Sequence, residues 1–216
     1  MIFVNFKTYK EGSGENAKSL AKIIDKVAKE SGTTIVSCPQ PTDFKEVHAL
    51  TDFPVWAQNV DPVERGKTTG WFPPEVAKEL GAEGTLLNHS EHKIPFPELK
   101  KVVSLCRGVG LKVVAIANSL EEAKKISELK PDFLGYEPPE FVGSTTTSVA
   151  MAQPEVIKAV VDAVSPLKVL IGAGVHRAQD IAIGRKLGAV GVILATDVVL
   201  AENPEKELMK LALAFK

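Results

Sequence analysis

Eight short, almost wholly apolar runs recur along this chain, and a stretch with helical spacing follows nearly every one. The runs are Ile2–Phe6, Thr34–Cys38, Val55–Gln58, Thr85–Asn88, Lys112–Ala117, Phe133–Glu137, Val169–Gly172 and Gly191–Ala195. None shows clean polar–apolar alternation, which is how a strand covered on both faces reads. Between them, apolar residues fall on one stripe of a 3.6-residue period: Ala17, Leu20, Ala21, Ile24 and Ala28, then Leu99, Val102, Val103 and Cys106, then Val156, Ile157, Val160, Val161 and Val164. Pro154 suits the first turn of the last of these, and Gly32, Gly81, Gly110 and Gly188 stand where helices should close. Strict alternation of β and α implies a parallel sheet. Eight units imply that it closes into a (β/α)8 barrel, read here as a single domain over residues 1–216.

An open, doubly wound sheet is the competing architecture. It would put a glycine-rich phosphate turn after the first strand, and Lys7-Thr8-Tyr9 stands there instead. In a barrel the chemistry gathers at the C-terminal ends of the strands. Those ends carry Asn5 and Lys7 after the first strand, Asn88-His89-Ser90-Glu91 after the fourth, Tyr136-Glu137-Pro138-Pro139 after the sixth, Gly172-Ala173-Gly174 after the seventh and Ala195-Thr196-Asp197 after the eighth. Each alone is as compatible with a solvated charge, a structural histidine or a tight turn. Converging on one mouth, they suit proton transfer beside a carbonyl. A carboxylate takes the carbon-bound proton, and an imidazole and an ammonium stabilise the enediolate. Small-residue turns that lead into helices offer backbone N–H groups to a phosphate.

Composition narrows the partners. The net charge of −1, with Lys and Glu mixed along the chain, gives no basic stripe for nucleic acid. No apolar run approaches the roughly 20 residues that span a bilayer. Met1-Ile2-Phe3-Val4-Asn5 has neither a basic lead nor a cleavage site, so no signal peptide is expected. Cys38 and Cys106 form no CxxC pair and have no His cluster nearby, which points to a reducing, cytoplasmic setting and to no metal site. Gly66-Lys67-Thr68 lacks the earlier glycine of a P-loop, since Asp61 stands there, and Gly172-x-Gly174 meets Arg177 where a dinucleotide fingerprint needs a third glycine. His48 and His176 have no ligand-spaced partners and read as surface or structural residues.

Taken together, Asn5-Phe6-Lys7, His89-Ser90-Glu91, Tyr136-Glu137-Pro138 and Gly172-Ala173-Gly174-Val175 resemble, in order, the signature segments of the triosephosphate isomerase family. Trp56-Ala57-Gln58-Asn59-Val60-Asp61 and Thr69-Gly70 also look like that family, and the short length looks like its archaeal branch. The resemblance covers essentially the whole chain. It implies a TIM barrel that interconverts dihydroxyacetone phosphate and glyceraldehyde 3-phosphate without a cofactor, as a homodimer or homotetramer. By position it implies Glu137 as the proton shuttle, His89 as the neutral electrophile, Lys7 as the stabilising cation, Asn5 as its support, and Glu91 and Ser90 as accessory groups. Gly172, Gly174, Ala195 and Thr196 would face the phosphate, joined by Gly143, Ser144 and Thr145 of the lid. Thr69 would lie in a loop that reaches a neighbouring subunit.

Three departures stand out. The lid reads Gly143-Ser144-Thr145-Thr146-Thr147-Ser148, so β-branched residues replace the family's second hinge glycine. Asp197 stands where Gly or Ala is expected; turned inward it would repel a phosphate, so it is expected to point away or to cap the last helix. His92-Lys93 replaces a basic pair containing Arg, which should alter a structural ion pair. An alternative reading is a catalytically weak barrel that binds a phosphorylated metabolite. A Schiff-base aldolase would need a lysine at an interior end of a later strand, and none is there.

Overall fold

The computed structural model describes residues 1–142 and 148–215. Strand β1 (Ile2–Asn5) leads to α1 (Glu15–Ser31), β2 (Ile35–Cys38) to α2 (Phe44–His48), β3 (Trp56–Ala57) to α3 (Pro74–Glu79) and β4 (Gly84–Leu87) to α4 (Phe96–Gly108). Strand β5 (Lys112–Ala117) leads to α5 (Leu120–Ser127), β6 (Phe133–Tyr136) to α6 (Val149–Ala152) and α7 (Pro154–Val164), β7 (Lys168–Ile171) to α8 (Ala178–Lys186), and β8 (Gly191–Leu194) to α9 (Thr196–Val199) and α10 (Pro204–Leu213). All eight strands join one parallel sheet in the order β2-β1-β8-β7-β6-β5-β4-β3. The two ends of that order meet at a parallel bridge between Ser37 and Val55, where Ser37 N–H donates to the carbonyl of Pro54 at 3.1 Å. The sheet therefore closes, as the eight-fold alternation requires.

Closure divides the apolar residues into two cores. Successive side chains of a strand face opposite ways. One set, including Ile2, Val4, Ile35, Leu87 and Ile171, packs against the helices. The other set fills the barrel: Phe3, Val36, Cys38, Trp56, Leu86, Val114, Ile116, Leu170 and Ile193, with Met1 and Phe133 against them. Phe3, Trp56 and Phe133 meet edge to face with centroids 5.0 to 6.2 Å apart. Such pairs add about 0.5–1.5 kcal/mol each beyond simple burial.

The helices bury the expected stripes. In α1, Ala17, Leu20, Ala21, Ile24 and Ala28 are all buried, and Gly32 ends the helix at φ +68° with its N–H returned to the carbonyl of Ala28. The space around it is open, so glycine is favoured there because any side chain would be strained in the left-handed turn that this closure needs. Gly81, Gly110 and Gly188 also take positive φ, and Pro154 opens α7. In α7 the stripe splits: Ile157, Val160 and Val164 are buried, while Val156 and Val161 lie at its partly covered edge. Strand limits differ from the sequence reading by a residue or two. Phe6, Glu137 and Gly172 lie just past their strands, yet each N–H still donates to the neighbouring strand, at 3.0 Å, to Cys38, Ala117 and Tyr136.

Candidate active site

The alternation that fills the barrel also delivers the site. Inner-face positions climb β1 as Phe3, Asn5 and Lys7, and climb β6 as Phe133, Gly135 and Glu137, so hydrocarbon gives way to polar groups at the C-terminal mouth. There one cavity is lined by Asn5, Lys7, His89, Glu137, Gly174, His176, Ala195, Thr196 and Asp197. A second, lined by Lys7, Gln58, Asn59, His89, Glu91 and His92, adjoins it.

Three non-glycine residues at this mouth take left-handed backbone angles: Lys7 (φ +50°), Asn88 (φ +62°) and Ala173 (φ +61°). Such residues are uncommon and persist where their surroundings hold them. At Asn88 the consequence is direct. Leu87 faces the helices, and simple alternation would send His89 the same way; the turn at Asn88 brings His89 to the cavity instead. Asn88 is held by donating to the carbonyl of Ile116 (2.8 Å) and to Glu122 Oε1 (2.9 Å), while its Oδ1 accepts the N–H of Ile94 (3.0 Å). Lys93, from the altered basic pair, forms an ion pair with the same Glu122.

Lys7 is fixed at both ends. Its N–H donates to Asn5 Oδ1 (3.0 Å), its carbonyl accepts from Gln58 Nε2 (3.0 Å), and its ammonium donates to Glu91 Oε1 at 2.6 Å. Gln58 Nε2 also reaches the carbonyl of Cys38 (3.0 Å), tying the ends of three strands. Sequence reading placed Gln58 in a family-like segment but gave it no role, because neither carbonyl partner has a sequence signature.

The histidine's state follows from one hydrogen bond. His89 Nδ1 accepts the N–H of Glu91 at 3.1 Å. Its lone pair is thereby engaged, and the ring proton sits on Nε2. Nε2 lies 3.2 Å from Glu137 Oε2, but off the line a hydrogen bond needs; Oε2 has no hydrogen-bond partner among the described residues. Glu137 is 3% exposed. Burial pushes its carboxyl above the ordinary carboxylate range, with His89 and Lys7 pulling it down and Glu91 adding to the rise.

Gly172 sits apart from the other small residues. It does not line the cavity; a Cβ there would come 2.1 Å from Glu137 Oε1, so its bareness makes room for the carboxylate. Gly174 (φ +73°), Ala195 and Thr196 do line the cavity, and the Thr196 hydroxyl meets the Tyr9 hydroxyl at 3.2 Å. The first N–H groups of a helix have no partner within it, and Ala195 and Thr196 stand at the opening of α9. Ser90 lies beside His89 with its hydroxyl buried and unbonded among the described residues. Gly143, Ser144 and Thr145, expected in the lid, lie outside the described residues.

Asp197 corrects its expectation. It neither points away nor caps α10, which Asn203 caps. It lines the cavity and bonds His176, Nδ1 to Oδ1, at 2.6 Å. His176, read as surface or structural, therefore belongs to the cavity wall. Its partner is 21 positions away, beyond any ligand-spacing rule. Asp180, unremarked in the sequence, anchors this loop: its buried carboxylate accepts the N–H groups of His176 (2.9 Å) and Arg177 (2.8 Å) and the Ser148 hydroxyl (2.6 Å). His48 lies against Phe44 and Gly81, away from this mouth.

Fold and site together define a parallel-barrel isomerase of the carboxylate type, built to move a proton beside a carbonyl. Comparison with known proteins narrows the class. The triosephosphate isomerase family model matches residues 1–212. The chain is 38% identical to the triosephosphate isomerase of Methanocaldococcus jannaschii over 98% of both chains. It is 40% identical to that of Methanothermus fervidus, over 98% of this chain and 96% of the other, and 39% identical to that of Methanopyrus kandleri, over 97% and 95%. This chain belongs to the triosephosphate isomerase family.

Proposed function

We propose that the chain interconverts dihydroxyacetone phosphate and D-glyceraldehyde 3-phosphate by proton transfer through an enediolate, in glycolysis and gluconeogenesis. One observation carries the reading: a buried carboxylate, Glu137, faces a histidine whose Nδ1 is occupied and whose Nε2 holds the proton. Desolvation makes Glu137 a stronger base than a solvated carboxylate. It takes the proton from one carbon and returns it to the next. His89 Nε2–H and the Lys7 ammonium stabilise the oxygens as negative charge develops. Asn5 holds Lys7, and Glu91 parks its ammonium. Gly174, Ala195 and Thr196 are assigned to the phosphate, with Gly143, Ser144 and Thr145 of the lid; Gly172 serves through Glu137. Proton transfer of this kind calls on no cofactor.

The whole is read as one barrel domain working in the cytoplasm. Both cysteines are free and buried, as suits a reducing compartment. None of the described helices is long and apolar enough to cross a membrane. A homodimer or homotetramer is supported by the loop that carries exposed Thr69 and Trp71, the latter 53% exposed. Tryptophan is enriched at protein interfaces, which suits that reading. No observation favours the binding-only alternative. A coupled assay with glyceraldehyde 3-phosphate tests the proposal: turnover in the wild type, lost in Glu137→Gln, is the expected result, and a folded wild type without turnover would sink it.

A further inference from the structure

His176 and Asp197 form a pair that neither the proton-transfer chemistry nor the barrel's packing explains. Both line the cavity beside Gly174 and Thr196. Asp197 is the second residue of α9, so its carboxylate stands at the wall where a phosphate is assigned, and a bare carboxylate there would repel it. The Lys7 ammonium offers little relief, since it is bonded to Glu91. Asp197 is met instead by His176 at 2.6 Å. The loop that brings His176 there is held rigidly, because Asp180 binds the N–H groups of His176 and Arg177 and in turn the Ser148 hydroxyl. A histidine kept for packing would have both ring nitrogens satisfied. Here Nε2 is buried and has no partner among the described residues, so the ring's one polar tie is to the acid at the cavity wall.

We infer that His176 is a substrate-positioning residue whose imidazole masks the Asp197 carboxylate, so that the phosphate of a short phosphosugar can seat against Gly174 and Thr196. The inference rests on the triose-phosphate reading above. His176 and Asp197 act as a unit, and neither touches the reacting carbons.

The test is a double-mutant cycle. His176→Ala exposes the carboxylate, so KM for glyceraldehyde 3-phosphate should rise about tenfold or more while kcat changes by less than about threefold. The affinity for inorganic phosphate, measured by calorimetry, should fall by a similar factor. Asp197→Gly in the same chain should bring both back to within about threefold of wild type, which loss of a merely structural histidine would not allow. Should His176→Ala fail to fold, His176→Leu carries the same comparison, because it keeps most of the bulk and gives Asp197 no donor. Unchanged KM and phosphate affinity in the single variant would overturn the inference, as would a double variant that keeps the single variant's defect. The phosphate titrations need no turnover. A wild type that binds phosphate without isomerising would refute the activity, and the titration series would then decide the role of His176 by itself.

Discussion

Gly172 and Glu137 compete for one space: a Cβ on Gly172 would stand 2.1 Å from Glu137 Oε1. Gly172→Ala should therefore push the carboxylate aside by an ångström or more. Displacement on that scale costs on the order of 100-fold in turnover. Steady-state kinetics should show kcat falling by that factor with KM little changed. A rise in KM at constant kcat would mean that Gly172 acts on the phosphate instead.

Glu137 ties catalysis to stability with a definite sign. Its carboxyl titrates higher in the fold than in the unfolded chain because burial disfavours the charge. Its contribution to stability is therefore fully present below the unfolded value, about 4.3 for a free Glu, and is lost as pH rises through the folded value. Glu137→Gln should raise stability at neutral pH by about 1 kcal/mol, or roughly 2–4 °C in Tm. Calorimetry should show that gain shrinking as the pH falls to about 4. The acid limb of kcat/KM in the wild type should lie above the ordinary carboxylate range.

Gln58 holds the left-handed turn of Lys7 through one amide nitrogen that serves two carbonyls. Gln58→Leu leaves the carbonyls of Lys7 and Cys38 without that donor, which should cost about 1–3 kcal/mol in denaturant unfolding. With Lys7 less firmly placed, kcat/KM should fall about tenfold. Activity loss without destabilisation would show that Gln58 acts on substrate rather than through Lys7.

Trp71 is the largest exposed apolar side chain among the described residues, and it sits on the loop expected to meet another subunit. Trp71→Lys should lower the sedimenting mass toward that of one chain and reduce specific activity. An unchanged mass would place the subunit contact elsewhere.

The barrel was legible because burial on both faces leaves a strand with one obvious signature, a short apolar run. One misplaced limit has a physical cause. β4 begins a residue early at Gly84, because only a bare position admits the Trp56 ring, with a built Cβ 2.5 Å from it, and glycine leaves no apolar mark. Val55, next to β3 (Trp56–Ala57), makes the parallel bridge to Ser37 that closes the ring. Asn5, Lys7, His89, Glu137, Gly174, Ala195 and Thr196, which line the cavity, were legible too, by position at strand ends and by family resemblance. Their geometry was not. His89 reaches the cavity through a backbone turn at Asn88, and the pairing of His176 with Asp197 joins two loops that only the closed ring brings together.

Glu137-mediated proton transfer is tested most directly by turnover of dihydroxyacetone phosphate in deuterated water, with the products read by NMR. A proton carried on a carboxylate exchanges with solvent between removal and return, so deuterium should enter carbon in the isomerised product, and Glu137→Gln should abolish both label and turnover. Isomerisation that proceeds with no deuterium at carbon, or that survives in Glu137→Gln, would contradict the account.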